Sequence, residues 1–185
     1  METTAVKTSA KTKWSIDPTH SELAFKVRHM MITNVKGEFR KFDASFLTEG
    51  KDFSKSSIDV TVDAASIFTK DDSRDGHLKS ADFFDTEKYP ELRFKGKSFK
   101  QIDDDEYKLT GILTIKDVSR EVELDVEFGG ISKDPWGNEK AGFTVEGKIN
   151  RRDFGLNWNA ALETGGVLVS DEVKISAEVQ FIKQA

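Results

Sequence analysis

Apolar and polar residues alternate along most of this chain, and in Leu23-Ala24-Phe25-Lys26-Val27-Arg28-His29 the alternation carries through to a histidine. Successive side chains of a strand point to opposite faces. Leu23, Phe25, Val27 and His29 therefore share one face, and Glu22, Lys26 and Arg28 the other. The same period recurs in Ile58/Val60/Val62, Leu109/Gly111/Leu113/Ile115, Val122/Leu124/Val126/Phe128, Phe143/Val145/Gly147/Ile149 and Val173/Ile175/Ala177/Val179/Phe181. Strands are expected over roughly 14–17, 21–30, 34–47, 55–65, 91–99, 106–117, 120–130, 141–152 and 172–183. So many one-sided apolar strands predict an all-β fold whose sheet is closed or double-layered.

Three stretches depart from this pattern. Within 34–47, Phe39 keeps the phase of Val35 and Gly37, whereas Phe42, Ala44 and Phe46 take the opposite one, which predicts a β-bulge near Arg40 or Lys41. Residues 69–90 are not strand-like. Thr69-Lys70-Asp71-Asp72-Ser73 offers helix N-caps, and Arg74 to Phe84 reads as one or two short helical turns, ending before Tyr89-Pro90 and crossing one end of the sheet. The segment from Asp153 to Asp171, with Gly155, Gly165 and Gly166, is long and irregular, as functional loops often are. Residues 1–12 are small, polar and lysine-rich and are expected to form a flexible tail, leaving 13–185 as one domain.

Composition narrows the function. A chain of 185 residues suits one core, and the absence of cysteine removes disulfides, thiol nucleophiles and zinc-thiolate sites. The 28 basic residues are interspersed with 33 acidic ones for a net charge of -5, so no nucleic-acid partner is expected. The opening residues lack the apolar core of a secretory leader, and no stretch approaches the roughly 20 apolar residues of a spanning helix. The expectation is a soluble, cytoplasmic chain, or a periplasmic one if a leader has been removed.

Candidate chemistry is sparse. The three histidines are His20, His29 and His77, and the first two are separated by about 30 Å of extended chain. No His-x-x-x-His spacing occurs, so no metal site is expected. No Gly-x-Ser-x-Gly elbow and no glycine-rich phosphate loop is present, and the acidic runs Asp71-Asp72 and Asp103-Asp104-Asp105 fall in predicted turns, so neither catalysis nor a cofactor is expected.

Phenylalanine is the unusual component: 14 residues against two tyrosines and three tryptophans, with Phe25, Phe39, Phe94, Phe128, Phe143 and Phe181 on apolar-phase positions. They either fill a core or line a cavity, since a barrel of eight strands is just wide enough for its own side chains or for one ligand. Gly37, Gly111 and Gly147 sit at inward positions between large residues and are expected to leave room for a ligand. His29 after Val27 and Arg151 after Ile149 continue the inward phase beyond the apolar run, which would make one end of an apolar tunnel polar.

Several spaced blocks resemble the YceI-like family: Trp14-Ser15-Ile16-Asp17-Pro18-Thr19-His20-Ser21, Phe25-Lys26-Val27-Arg28-His29 with Gly37 and Phe39, Thr69 through Arg74-Asp75-Gly76-His77-Leu78, Phe83-Phe84-Asp85, Tyr89-Pro90, Gly111-Ile112-Leu113-Thr114-Ile115 and Asn150-Arg151-Arg152-Asp153-Phe154-Gly155. The resemblance spans about residues 13 to 183. It implies a lipocalin-like eight-stranded antiparallel barrel, with its helical segment near residues 70–86, enclosing a tunnel for polyisoprenoid or other long-chain amphiphilic lipids. Related proteins also make a homodimer an expectation, and the ligand brings transient membrane contact with it.

Together these readings point to a non-enzymatic binder of an isoprenoid or quinone-like lipid, serving carriage, storage or sequestration. Phe25, Val27, Phe39, Phe94, Leu113, Phe128, Phe143 and Ile149 are expected to line the tunnel. His29 and Arg151, with Arg74, Asp75 and His77 from the helical segment, are expected around the head group. The alternatives are a fatty acid or fatty amide binder on the same fold, a small lipid-modifying enzyme acting through His29, His77 or Asp75, and a barrel with a filled core.

Overall fold

A computed structural model of the chain describes residues 11–49, 52–159 and 168–184. Its strands are β1 (Lys11–Ile16), β2 (Glu22–His29), β3 (Thr33–Phe39), β4 (Phe42–Glu49), β5 (Asp52–Asp63), β6 (Ile67–Phe68), β7 (Glu91–Gln101), β8 (Glu106–Ile115), β9 (Val118–Lys133), β10 (Glu139–Asn150) and β11 (Val169–Lys183), with one α-helix, α1 (Asp72–Lys79). The tail expected over 1–12 lies outside the described residues up to residue 10. Lys11 and Thr12 already pair with Glu49 and Thr48.

The strands run antiparallel in the order β1-β4-β5-β7-β8-β9-β10-β11, and β11 returns to β1 through Trp14↔Lys183 and Ile16↔Phe181. Eight strands thus close into a barrel, which removes the edge that an open sheet would expose. β2 continues β1 along the same side of β11, with Glu22 opposite Glu178 and Phe25 opposite Ile175. β3 pairs with β2 as β4 does with β1.

The bulge expected near Arg40 and Lys41 is a complete break. Arg40 and Lys41 pair in no ladder, and the single strand expected over 34–47 is β3 and β4 meeting at a corner. The physical cause is the phase reversal: both strands must present their apolar residues inward while the wall changes direction. The corner is held by Arg40 N–H to the Ser66 carbonyl at 3.1 Å and Asp63 N–H to the Lys41 carbonyl at 2.9 Å, with the Arg40 guanidinium 3.4 Å from the centre of the Phe68 ring.

The inward glycines have a different role from the one expected. A β-carbon at Gly37 would run into the Phe25 ring, one at Gly111 into Phe94 and one at Gly147 into Leu124. The missing side chains make room for large residues on neighbouring strands, in the manner of aromatic rings laid over sheet glycines. They open no space for a ligand.

Two apolar clusters occupy the interior. At one end Trp14, Phe46, Phe53, Phe143 and Phe181 form an aromatic group, the closest pair being Phe46 and Phe181 with ring centres 4.8 Å apart. Toward the other end Phe39, Val62, Ile67, Leu92, Ile115 and Phe154 form the second cluster. α1 lies at this second end. It starts at Asp71, whose carboxylate accepts the Arg74 N–H at 3.0 Å, and stops where the Ser80 N–H bonds the His77 carbonyl. A helix of eight residues, six of them polar and one Gly76, does not hold in isolation, so its stability comes from docking on the barrel.

Candidate functional site: an apolar cavity with a polar end

A cavity of about 700 Å³ runs between the two clusters. Volumes of this size accommodate a small organic ligand or a folded hydrocarbon chain. Its walls are almost wholly apolar. Phe25 and Val27 from β2, Phe39 from β3, Phe94 from β7, Leu113 from β8, and Phe143 and Ile149 from β10 all border it, as the strand phase predicts. Phe128 does not: it packs in the wall behind, with its ring centre 5.1 Å from Phe53 and 5.2 Å from Phe143. The β9–β10 register shifts between Gly142 and Phe143, beside Phe128.

Phe46, Phe53, Phe99, Phe83 and Trp158 also border the cavity and were not expected there. Phe46 carries a signal, since it shares the inward phase of Phe42 and Ala44. Phe53 lies out of phase with Ile58, Val60 and Val62, and the register with β4 shifts between Leu47 and Glu49. Phe83 and Trp158 come from irregular segments, where alternation says nothing about orientation.

Polar residues gather at the α1 end. Arg28 and His29 close β2, while Thr69, Asp71, Ser73, Arg74 and His77 come from the approach to α1 and from the helix itself. Arg28, Asp71 and Ser73 are exposed, so this is where the cavity meets solvent. The His77 ring stands edge-on to Trp158 at 4.7 Å and to Phe83 at 5.2 Å, and its Nε2 is 2.8 Å from the Asp82 carboxylate. That contact fixes the ring against the cavity wall.

Thr69 is the joint of this end. Its backbone N–H and its hydroxyl both donate to Asp75, at 2.8 and 2.5 Å. Arg74 approaches from the other side, with Nε donating to the Thr69 hydroxyl at 2.8 Å and Nη2 to the Thr69 carbonyl at 2.7 Å. Asp75 is buried and does not border the cavity, so it does not face a head group as expected; it holds Thr69, which in turn orients Arg74. The helix carries Asp75 about 100° on from Arg74, where its carboxylate meets the Thr69 N–H and hydroxyl instead of the lumen.

Arg151 also departs from its expected role. It borders the cavity but is only 3% exposed, and its donors are engaged: Nε to the Ser170 carbonyl at 2.8 Å, Nη1 to Leu156 and Trp158 at 2.6 and 2.8 Å, and Nη2 to Val169 at 3.2 Å. Burial lowers its pKa, and Asp171, 3.9 Å away, counters this. Four of five guanidinium N–H groups thus fasten Leu156 and Trp158 to the start of β11 at Val169 and Ser170. The charge pairs with Asp171, and no ion pair joins Arg151 to Asp75.

Among the described residues no three His, Asp or Glu side chains converge as metal ligands do. No helix among them is long and apolar enough to cross a membrane.

The YceI-like domain model matches residues 14–181. A UPF0312 protein of Staphylococcus aureus (strain bovine RF122 / ET3-1) is 43% identical over 171 residues, covering 92% of this chain and 97% of that protein. This chain belongs to the YceI-like family. The crystal structure of the Campylobacter jejuni YCEI protein is 36% identical, with a TM-score of 0.72 over 85% of this chain and 90% of that one. Burkholderia cenocepacia BcnA shares the fold, with a TM-score of 0.78 at 24% identity over 89% of this chain and 98% of its own. So does a polyisoprenoid binding domain from Saccharophagus degradans implicated in plant cell wall breakdown, with a TM-score of 0.69 at 15% identity over 92% of this chain and 98% of that one. The matched range takes in both the Thr69 joint and Arg151 with its carbonyl partners.

Proposed function

We propose that this YceI-like barrel binds an isoprenoid or quinone-like lipid, with its tail between the two aromatic and aliphatic clusters and its head group at the α1 end, and that it carries or sequesters the lipid without transforming it. The observation that carries this reading is the cavity of about 700 Å³, apolar along its length and polar at one end. The polyisoprenoid binding domain of like fold supports the ligand class. Leaving a tail of some twenty carbons in water costs about 16 kcal/mol, so free diffusion of such a lipid through the aqueous phase is negligible without a carrier. A bilayer shields the tail equally well, so net affinity over the membrane comes from fit in the cavity and from the polar end. Arg74 and His77 are the head-group contacts, with His29 across the mouth, whereas Arg151 acts on the wall.

Mass spectrometry of a solvent extract of the protein purified from its native host tests the reading. An isoprenoid chain with a small polar head, recovered near one per protein and unchanged on incubation with the protein, is the expected result. An extract holding only fatty acids or fatty amides assigns the cavity to that class, conversion of the extracted lipid makes the protein an enzyme, and an extract without lipid removes the proposal.

A further inference from the structure

The hairpin between β2 and β3 turns at the polar end of the cavity through Met30-Met31-Ile32, and these residues are 44%, 56% and 70% exposed. Three consecutive apolar side chains at a turn tip are unusual, because turns favour Gly, Asn and Asp. Here the backbone makes the choice costlier still. Met30 and Met31 both sit at positive φ, 52° and 61°, in the left-handed region that a long side chain occupies only under strain. The strain is accepted on a turn whose polar groups are tied back: Met30 N–H donates to the Leu168 carbonyl at 2.8 Å, Ile32 N–H to His29 at 3.2 Å, and Arg28 Nε to the Met31 carbonyl at 3.3 Å. What the tip offers outward is apolar surface, with the exposed Arg28 just below it.

From this geometry we infer that the Met30-Met31-Ile32 tip is the element that docks the barrel on a lipid bilayer, setting the cavity mouth against the membrane. The inference rests on the reading of the cavity as a lipid site, and continuity carries it: His29, which closes β2 one residue before the tip, borders the cavity, and Leu168, which bonds Met30, borders it too. A lipid leaving the bilayer beside the tip thus enters the cavity without crossing water. Three side chains reach the interfacial layer and not the hydrocarbon core, so the association is weak and reversible. Arg28 and Arg74 border the mouth together with Asp71, so opposite charges offset one another there and apolar burial drives the contact.

A rival lies at the opposite end of the barrel. Trp136, in the turn between β9 and β10, is 82% exposed, and tryptophan favours membrane interfaces. The ladders separate the two ends: β10 begins opposite Ile182, whereas the Met tip follows His29, opposite Val169. Docking through Trp136 would turn the mouth away from the membrane.

Sedimentation with phosphatidylcholine vesicles tests the inference on the full chain. The variant Met30→Asn, Met31→Gly, Ile32→Ser puts Asn-Gly at positive φ, where the turn prefers it, so the hairpin folds at least as well. The expected result is vesicle partitioning at least about tenfold weaker than in the parent, insensitive to added salt, while Trp136→Ser partitions like the parent. Equal partitioning of parent and hairpin variant, no partitioning of the parent, or loss in Trp136→Ser overturns the assignment. A shift from dimer to monomer in the hairpin variant without vesicles also overturns it, by making the tip a contact with a second copy. A dansyl-labelled geranylgeranyl probe, titrated in solution, keeps the two readings apart. Equal affinity for parent and variant is expected; failure of the probe to bind either overturns the cavity reading, and sedimentation still decides for or against the tip.

Discussion

Phe25 stands directly opposite Gly37 in the β2–β3 ladder and lies across it, so that its ring occupies the space a β-carbon at position 37 would need. The ring also packs on Phe39, with centres 5.7 Å apart, and borders the cavity. Gly37→Ala should therefore force Phe25 aside and destabilise the barrel by about 1–3 kcal/mol, the usual range for overpacking. Denaturant melts of Gly37→Ala, Phe25→Leu and the double variant measure the coupling. The double variant should recover much of the loss. Strict additivity would show that the ring and the glycine do not depend on each other.

Removing Arg151 should act on the wall rather than on the head group. Arg151→Met takes the Arg151 donor from the carbonyls of Leu156, Trp158 and Ser170, while the Val169 carbonyl keeps the Asn159 amide at 2.7 Å, and a loss of about 3 kcal/mol is expected. Hydrogen exchange should rise at residues 156–159 and 168–170. Affinities for geranylgeraniol and for its diphosphate should fall by similar factors. A loss confined to the diphosphate would place the guanidinium on the ligand instead.

The alternation of Leu23 to His29 and of its counterparts was enough to read the all-β class and most of the cavity wall, because strand period is a direct consequence of backbone geometry. The YceI-like blocks added the closed barrel and the position of α1. Three features were hidden for physical reasons. Phe53 escaped because a register shift near Glu49 changes which face its strand presents, and no residue type marks that shift. Asp75 and Arg151 are charged residues at the rim, and sequence does not say whether such a group faces a ligand or satisfies nearby backbone. Gly147 looked like vacant space because composition cannot show that Leu124 from the neighbouring strand fills it. A bulky substitution there would disturb the fold together with the cavity.

At the α1 end, Arg74 should discriminate between head groups. Its Nε and Nη2 are held by Thr69, which fixes the guanidinium at the border of the cavity. Charge-assisted hydrogen bonds to an anion contribute about 1.5–3 kcal/mol. Arg74→Gln is expected to weaken geranylgeranyl diphosphate at least about tenfold and geranylgeraniol little. Asp75→Asn should reproduce part of this at a distance, since it loosens Thr69, and should also lower the melting temperature. Equal effects of Arg74→Gln on both lipids would remove the assignment.

Asp17 supplies a pH dependence that is separate from ligand binding. Its buried carboxylate accepts hydrogen bonds from Lys140 Nζ at 2.8 Å, from the Thr19 backbone at 3.1 Å and hydroxyl at 2.7 Å, and sits 2.9 Å from His20 Nδ1. Lys140 is the main cause, and together these groups hold the Asp17 pKa well below the usual carboxylate range. A carboxylate whose pKa is lower folded than unfolded adds stability that is fully present above its unfolded value, about 3.9, and drains away as pH falls below that toward the depressed folded value. Asp17 ties the link between β1 and β2 to β10, so Asp17→Asn should cost about 2 kcal/mol at neutral pH by removing the nearer of two carboxylates beside the Lys140 ammonium and leaving Asp134 at 4.0 Å. The gap between the melting curves of parent and variant should narrow as pH is lowered from 5 toward 2, because the unfolded parent's carboxylate takes up a proton there while the folded one still resists it. A gap that stayed constant over that range would mean that shape, and not ionisation, accounts for the effect of the substitution.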